Sequence, residues 1–434
     1  MINKVINHNP EPIFNVYQRP NGYYWLKVIF MFCILYLRQA IHKIKLSLKN
    51  KETLEKYYSE LEKTHKLSNH NQPIDAVYFN AANETGEHLV VGTARRKNGL
   101  IDGFMYVKIR DNEIGLLESS KLPDTSLYQK TVEEKYGAEG LEIQCVEPMK
   151  KWKITYRGKM KKYSDPKQCF DVDLLVMYTS ELPFFNFDTD MDPWCMAKCI
   201  ALEKWSSEYF KLLKQHHQTH YEQHGNIKGN ILIDGKVFPI NMESMRDHTF
   251  GNHREWRNLH KYNLQMFTTE NGDRFTVGDV CFPLTVSSFK MGYVYSAADK
   301  KIYPITYNDF QLYQHGESGK PPQDYAFTIE AGGKTYIVKV DVIDSPHFFI
   351  SKDWECKVYE RLCTFKVNGL KGWGASEWQQ RNILGKNILG TQNASSTSLN
   401  IQKSTEVSNV RKIPAVRRLV GVKSTELFET MLKK

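Results

Sequence analysis

The sequence predicts an all-β body of antiparallel strands, preceded by a hydrophobic helix and interrupted by one further helix. Three observations carry this prediction: short β-type segments separated by turn residues, an apolar run near the N-terminus, and one stretch with helical spacing of apolar residues. Repeated hairpins without intervening helices are typical of sheets folded into barrels or sandwiches. With 434 residues, 41% of them hydrophobic, the chain can form two or three domains with cores.

The formal net charge of +10 comes from the two ends of the chain. Residues 1–50 hold seven Lys and Arg against Glu11, and residues 385–434 hold nine against three Glu. Each end therefore carries +6, which leaves −2 for residues 51–384. A near-neutral body with basic ends indicates a membrane surface or flexible tails, so we expect no nucleic-acid partner.

The apolar run near the N-terminus reads YYWLKVIFMFCILYL and covers residues 23–37. A helix that spans a bilayer needs about 20 apolar residues, so this run is short. Aromatic residues at its start suit a headgroup interface, and a basic segment follows it. We predict that residues 1–55 form a membrane anchor, either spanning or interfacial, with a buried helix as the alternative.

The compartment of the body depends on two conflicting signals. A basic flank after a spanning segment keeps the body cytoplasmic. The apolar run is not followed by a cleavage site of the A-x-A kind, which argues against a removable signal peptide. The sequons at Asn83 and Asn393 would be used only in a secretory compartment. We predict a membrane-associated protein with a cytoplasmic body, and the secretory face stays open.

The β-type segments begin near residue 75 and are joined by residues that favour tight turns. The predicted turns are Asn98-Gly99, Asp234-Gly235, Asn271-Gly272-Asp273 and Ala331-Gly332-Gly333. Residues 192–222 show helical spacing after Asp192-Pro193, where proline suits a first helical turn. The predicted organisation is a first β domain, a connecting helix, a second β domain and a disordered basic tail, at residues 75–190, 191–224, 225–384 and 385–434.

Metal and cofactor motifs are weak or missing. Eight cysteines are scattered without a CxxC pair, which is typical of free buried thiols. His216, His220 and His224 recur every four residues and could hold a metal on a helix, but a polar helix face explains them without one. The sequence contains no phosphate loop, dinucleotide fingerprint or nucleophile elbow. We therefore expect no metal ion and no cofactor.

The run RDHTFGNHREW at residues 246–256 combines charges with aromatic residues. His248 can both give and take a proton near neutral pH, and Asp247 could orient it or act as an acid itself. Arg246 and Arg254 could hold carboxylates in bidentate pairs. The alternative is a buried ionic corner whose charges satisfy one another. The residues alone leave both interpretations open.

Five segments of the body form a recognisable series. They are VYFNAANETGEHLVVGTARR (77–96), GLEIQCVEPMKKWKITYRGKM (140–160), YEQHGNIKGNILIDG (221–235), MRDHTFGNHREW (245–256) and YERLCTFKVNGLKGWGASEW (359–378). Their order is similar to that of the carotenoid 1,2-hydratase (hydroxyneurosporene synthase)-like superfamily, over roughly residues 75–380. Within it they resemble an uncharacterised animal subgroup with an Arg-Asp-His-[Ser/Thr]-[Phe/Trp]-Gly run.

The resemblance implies two consecutive lipocalin-like β-barrels around an apolar cavity, with an isoprenoid- or lipid-like ligand. In the hydratases, an acid protonates an alkene and water captures the carbocation, which requires an acid in a dry, aromatic-lined cavity. Asp247 and His248 match the shared core of the family, Gly251 its turn and Trp256 the subgroup hallmark. Phe250 stands where tryptophan is common.

We predict a hydratase, isomerase or cyclase of lyase type, acting without a cofactor on a hydrophobic small molecule. Asp247 would donate the proton with His248 as its partner, and Arg246 and Arg254 would set their pKa values. The alternative is a non-catalytic lipid carrier or a membrane-associated scaffold, and the oligomeric state stays open. The residues predicted to contact the ligand are Tyr221, Phe250, Trp256, Trp373, Glu377 and Trp378.

Overall fold

Two closed β-barrels, each with eight antiparallel strands in its ring, make up most of the described chain. The computed structural model describes residues 9–383 and residue 385, except residues 112 and 352. The predicted tail, residues 385–434, lies outside this range apart from its first residue. The prediction of an all-β protein with two lipocalin-like barrels is confirmed.

The first sheet has twelve strands. They are β1 (Ile74–Ala82), β2 (His88–Arg95), β3 (Leu100–Lys108), β4 (Leu116–Ser119), β5 (Ser126–Tyr128), β6 (Tyr136–Ala138), β7 (Leu141–Glu147), β8 (Lys151–Lys162), β9 (Asp165–Thr179), β10 (Phe185–Asn186), β11 (Gln218–Ile233) and β12 (Lys236–Gly251). The order β1-β2-β3-β4-β8-β9-β11-β12 returns to β1 and closes barrel 1. Phe79, Trp152 and Tyr178 are fully buried in its core.

The second sheet has nine strands. They are β13 (Lys261–Thr269), β14 (Arg274–Phe282), β15 (Val286–Ser296), β16 (Lys301–Asn308), β17 (Asp324–Ala331), β18 (Lys334–Asp344), β19 (His347–Ile350), β20 (Cys356–Val367) and β21 (Leu370–Arg381). Pairing of β18 with β20 closes barrel 2, and β19 adds to the edge of β20. Phe267 stacks on Phe275 and Phe365 in its core, at 4.6 and 4.0 Å between ring centroids.

In the described part of the chain, four α-helices accompany the barrels: α1 (Tyr24–Ser47), α2 (Lys51–Glu62), α3 (Pro193–Leu202) and α4 (Ser207–Gln215). The predicted start of a helix at Pro193 is confirmed, because the Asp192 side chain accepts a hydrogen bond from the Cys195 amide as an N-cap. α2 begins in the same way after Asn50.

The predicted turns join neighbouring strands as expected. Asp234 and Gly235 connect β11 to β12 with positive φ angles of 47° and 80°, which suit the twist of a two-residue hairpin. The other three predicted turns connect β2 to β3, β13 to β14 and β17 to β18.

The predicted connecting helix over 191–224 is wrong beyond Gln215, because β11 begins at Gln218. Residues 225–251 also differ from the predicted second β domain, since β11 and β12 complete barrel 1. The alternation that marks a half-exposed strand is missing here, because Tyr221–Gly225 is buried on both faces. Pairing with strands distant in sequence decides the structure of this segment.

Candidate functional site

The side chains of Arg246, Asp247 and His248 alternate between the two sides of the barrel 1 wall, because they follow one another on β12. Arg246 and His248 point into barrel 1, where they contact Glu62 at 2.9 Å and Asp75 at 2.8 Å. Asp247 points away from the interior, toward barrel 2. The structure therefore separates the predicted acid, Asp247, from its predicted partner, His248.

The inward side chains form a closed ionic cluster, which we call the barrel 1 plug. Glu62, the last residue of α2, accepts hydrogen bonds from Tyr221 Oη at 2.6 Å and from Trp152 Nε1 at 2.8 Å. Burial alone would raise the pKa of Glu62, but the Arg246 guanidinium and the Tyr221 hydroxyl hold it below its usual range. The plug consists of Glu62, Asp75, Arg95, Tyr136, Tyr221, Arg246 and His248.

The other half of the plug surrounds Asp75. Its carboxylate accepts from Arg95 Nη1 at 2.7 Å and from Tyr136 Oη at 2.9 Å, and contacts His248 Nε2 at 2.8 Å. Despite burial, the hydrogen bond with His248 keeps the pKa of Asp75 below its usual range. His248 Nδ1 lies 2.9 Å from Tyr221 Oη, so both ring nitrogens are occupied. Arg246 and His248 therefore lie in a buried ionic cluster of the kind that the alternative interpretation of the run predicts.

The outward face of β12 packs against barrel 2 along a surface that we call the inter-barrel seam. Its apolar part includes Tyr78, Met245, Met266, Tyr293 and Ala375, which come from both barrels and are buried together. These residues are carried by strands β1 and β12 of barrel 1 and by strands β13, β15 and β21 of barrel 2. The seam is the surface that Asp247 faces.

Four carboxyl groups meet in the seam, and we call them the acid cluster: Glu222, Asp247, Glu360 and Glu377. Burial and the nearby Asp247 raise the pKa of Glu377 to about 8. Burial also raises the pKa of Glu360 to about 8, against a hydrogen bond of 3.0 Å from Tyr78 Oη. Burial and Glu222 raise the pKa of Asp247. Glu360 and Glu377 therefore hold protons near neutral pH.

A hydrogen-bonded chain connects two members of the acid cluster. Thr249 Oγ1 donates to Asp247 Oδ1 at 3.3 Å and lies 2.7 Å from His220 Nδ1. The other ring nitrogen of His220 lies 3.2 Å from Glu222 Oε1. Burial works against a charged ring, but Glu222 and Asp247 raise the pKa of His220. A protonated His220 thus links the two carboxyl groups.

Arg254, the second predicted arginine, is brought to the acid cluster, whereas Arg246 is not. Its Nε donates to Gln218 Oε1 at 2.6 Å, and its guanidinium lies 5.1 Å from the centroid of the Trp256 ring. Burial lowers the pKa of Arg254 to about 10, although Asp247 and Glu377 act in the opposite direction. Its charge favours the ionised form of both carboxyl groups.

The predicted ligand-contacting residues divide among three places. Tyr221 belongs to the plug, and Phe250 stacks on His65 next to it, at 3.6 Å between ring centroids. Trp378 lies in the core of barrel 2 and donates to Ser376 Oγ at 3.0 Å. These three aromatic side chains lie away from the seam.

Trp373 and Glu377 do face the seam, because they stand two residues from Ala375 on either side along β21. Trp373 Nε1 donates to Glu243 Oε2 at 3.0 Å, and its ring lines a small, open cleft between the barrels. Trp256, buried against Leu259, lies beneath Arg254 at the edge of the acid cluster.

Sequence reasoning missed the plug residues Glu62 and Asp75 and the seam residue Glu360. No local spacing signals them, because α2, β1 and β20 bring them to β12 from distant parts of the sequence. Glu360 lies directly opposite Glu377 on neighbouring strands, within one of the segments that carried the family resemblance. His220 and Glu222 share one face because residues two apart in a strand do so, and not through helical spacing.

Within the described ranges, no group of three or more His, Cys, Asp or Glu side chains is arranged to hold a metal ion. The eight cysteines are unpaired and five of them are buried. Among the residues that the structure describes, α1 is the one helix long and apolar enough to cross a membrane.

Comparison with known proteins gives one family and several similar folds. The model of the Family of unknown function (DUF8627) matches residues 1–380, and no curated protein matches the chain. Similar solved structures include an AttH candidate from Nitrosomonas europaea, with 10% identity, a TM-score of 0.45, and coverage of 72% of this chain and 94% of that chain. Kievitone hydratase from Nectria haematococca has 11% identity, a TM-score of 0.42, and coverage of 73% and 96%. CghA has 8% identity, a TM-score of 0.41, and coverage of 73% and 94%. At these TM-scores none of the three structures carries an argument about the reaction.

Proposed function

The chain belongs to this family of unknown function, and we propose that it binds a hydrophobic small molecule in the inter-barrel seam and transforms it by acid/base chemistry without a cofactor. The observation that carries the proposal is the acid cluster, in which Glu360 and Glu377 have pKa values of about 8 next to apolar side chains. A neutral carboxylic acid in an apolar environment is suited to protonating an unactivated carbon–carbon double bond.

The two partly accessible members of the cluster, Glu377 and Asp247, divide the roles. Glu377 is the proposed acid, because its pKa of about 8 keeps it protonated. Asp247 is the proposed base, because His220 and Arg254 favour its ionised form against the effect of burial. Two carboxyl groups whose surroundings differ in this way form a general acid and a general base.

In the proposed hydration, the π electrons of an alkene form a new C–H bond with the proton of Glu377. The neighbouring carbon becomes a carbocation. The faces of Tyr78 and of Tyr262, which packs against the apolar part of the seam and donates its hydroxyl to Glu377, would stabilise this cation. Water then forms the C–O bond and releases its proton to Asp247. A proton passing from Asp247 back to Glu377 restores the starting state. Loss of a substrate proton to Asp247 would instead give isomerisation, and attack by a second double bond would give cyclisation.

The substrate class that we propose is an isoprenoid- or lipid-like molecule. The proposed residue roles differ from the sequence prediction. Glu377 replaces Asp247 as the proton donor, and His248 is a positioning residue inside barrel 1. One observation favours a second candidate function, a non-catalytic lipid carrier or scaffold. Arg246 and His248 both form buried ion pairs inside the plug, so neither side chain is available to react with a ligand.

The experiment that tests the proposal incubates the purified chain with a cell lipid extract in deuterated water. Proton transfer to carbon would place deuterium on a product, which mass spectrometry detects. We expect labelled product with the wild type and none with Asp247→Asn or Glu377→Gln. The control is Asp173→Asn, which removes an exposed carboxylate on barrel 1 that pairs with Arg157. An unlabelled ligand retained equally by all variants would identify a carrier and contradict the enzymatic proposal.

We also propose that α1 holds the protein at a membrane, with the body on the cytoplasmic side, where the anionic leaflet attracts a basic segment. The support is the exposure of large apolar side chains along α1, among them Leu26, Phe30 and Leu37 at 67%, 57% and 61%. Exposed apolar surface of this extent marks an interaction site.

A further inference from the structure

Helix α1 has two apolar faces, and the first of them docks on the body. Tyr24, Val28 and Met31 are buried at 9%, 0% and 6% exposure. They pack against Ala197 and Ile200, which are buried residues of α3. Residues three and four apart share a helix face, so this docked face runs along one side of α1.

The second apolar face lies on the opposite side of α1 and points away from the body. At 3.6 residues per turn, its members fall within one arc of the helix surface. Every charged residue of α1 lies outside this arc, and the helix contains no acidic residue. We call it the far face; its members are 44–67% exposed and are Leu26, Ile29, Phe30, Leu37, Ile41 and Ile44.

The body holds α1 at two separated points, which decides how the helix can meet a membrane. Lys27 Nζ donates to the Glu203 carbonyl at 2.6 Å, and Gln39 Nε2 donates to the Met191 carbonyl at 2.7 Å. These residues are twelve positions apart, which corresponds to about 18 Å along the helix axis. A spanning orientation would carry α3 and the charged side chain of Lys198 into hydrocarbon, at high cost.

From this arrangement we infer that α1 is an interfacial helix that lies in the plane of an anionic phospholipid surface, with its far face in the acyl boundary. This inference rests on the membrane association proposed above and specifies its geometry and its lipid. The charge of the helix complements such a surface, since its basic residues flank the far face and continue past its C-terminal end. These residues are Arg38, Lys43, Lys45 and Lys49.

The docked side of α1 is connected to the acid cluster by packed side chains. Gln39 of α1 donates to the Met191 carbonyl, and the Met191 side chain is buried in the apolar part of the seam together with Phe187. The Phe187 ring lies 4.7 Å from that of His220, the residue that connects Glu222 to Asp247.

The first experiment measures flotation of the full chain with vesicles. We expect binding to vesicles of phosphatidylcholine and phosphatidylserine, weaker binding to phosphatidylcholine alone, and a decrease with salt. The variant Leu37→Glu/Ile41→Glu should lower the partition coefficient at least about tenfold, because it removes two apolar side chains from the far face. The control Val237→Glu/Ile337→Glu changes two equally exposed residues of the barrels and should bind like the wild type.

The second experiment measures the depth of three labelled positions along the far face. Leu26→Cys, Leu37→Cys and Ile44→Cys are made singly in a Cys33→Ser/Cys169→Ser background and labelled with a fluorophore that lipid-bound quenchers can reach. An in-plane helix gives one shallow depth at all three positions. A spanning helix places Leu37 deep and the other two near opposite surfaces.

The outcomes separate this inference from the proposal on which it rests. Flotation with a depth that changes along the helix would overturn the in-plane orientation while keeping membrane association. Absence of flotation, with a dimer in light scattering that Leu37→Glu/Ile41→Glu dissolves, would overturn both and assign the far face to a second copy of the chain.

Discussion

The barrel 1 plug and the acid cluster are built from the same stretch of β12, yet they differ in charge balance. In the plug, Glu62 faces Arg246, and Asp75 faces Arg95 and His248. In the acid cluster, four carboxyl groups share Arg254 and His220 as their positive neighbours. In the plug, cations offset the effect of burial, whereas in the acid cluster burial, together with neighbouring carboxylates, raises the pKa values of Glu360 and Glu377 toward neutral pH.

The comparison teaches that neighbouring residues of a conspicuous run need not share a role. One residue of displacement along a strand moves a side chain from the interior of a barrel to its outer surface. Arg246 and His248 therefore stabilise a closed barrel end, while Asp247 is available to a ligand. Each prediction below perturbs one side of this comparison and leaves the other unchanged.

The largest effect is expected from Arg246→Met, which leaves the Glu62 carboxylate buried without its cation. Removing one partner of a buried ion pair costs about 3–5 kcal/mol of unfolding free energy. Denaturant unfolding followed by tryptophan fluorescence measures it. The double variant Arg246→Met/Glu62→Gln removes both charges and should recover much of the loss. Equal destabilisation by the single and double variants would contradict the role of the pair.

Asp247→Asn should have the opposite profile, with a large effect on turnover and a small one on stability. We expect product formation to fall about 10²-fold or more, because a positioned general base contributes this much. The unfolding free energy should change by less than about 1 kcal/mol, since Asp247 is partly accessible and asparagine keeps its size and the oxygen that accepts from Thr249. A loss of stability as large as that of Arg246→Met would show that the two regions share one structural role.

Glu360→Gln tests the raised pKa of the acid cluster through the pH dependence of stability. In the folded chain the pKa of Glu360 is about 8, above its value of 4.5 in the absence of burial. Its contribution is therefore complete below pH 4.5 and is lost as the pH rises toward 8. The variant should be less sensitive to pH in this window, by roughly 1–3 kcal/mol between pH 5 and 8. Thermal unfolding at a series of pH values provides the measurement, and parallel curves for both proteins would be the contrary result.

The smallest effect is expected at the far end of the seam. Trp373→Phe removes the hydrogen bond from the indole Nε1 to Glu243 and leaves most of the ring in place. A hydrogen bond to a charged group contributes about 1.5–3 kcal/mol when buried, and this partly exposed one should contribute about 1 kcal/mol. Unfolding by denaturant measures it. The matched control outside the seam is Trp205→Phe, which removes the hydrogen bond from the indole Nε1 to the Ile200 backbone carbonyl of α3.

Local patterns were sufficient to predict the hairpin turns, the helix start at Pro193 and the apolar N-terminal helix, because these depend on residues near one another in sequence. They failed for β11, where burial on both faces conceals the strand period. They also failed for the acid cluster, whose members come from β11, β12, β20 and β21. The run at 246–256 drew attention to Asp247, but only strand geometry separates that residue from Arg246 and His248.

Docking of α1 on α3 has a consequence for the time during which the chain is made. α3 begins at Pro193, about 150 residues after α1 ends, and ribosomes add roughly 5–20 residues each second. For about ten seconds or longer, the docked face of α1 has no partner within the nascent chain, and both of its apolar faces are open to water. Barrel 1 is completed later still, because β12 ends at Gly251. Early capture of α1 by a membrane or a chaperone would protect the growing chain from aggregation until its own partner helix emerges.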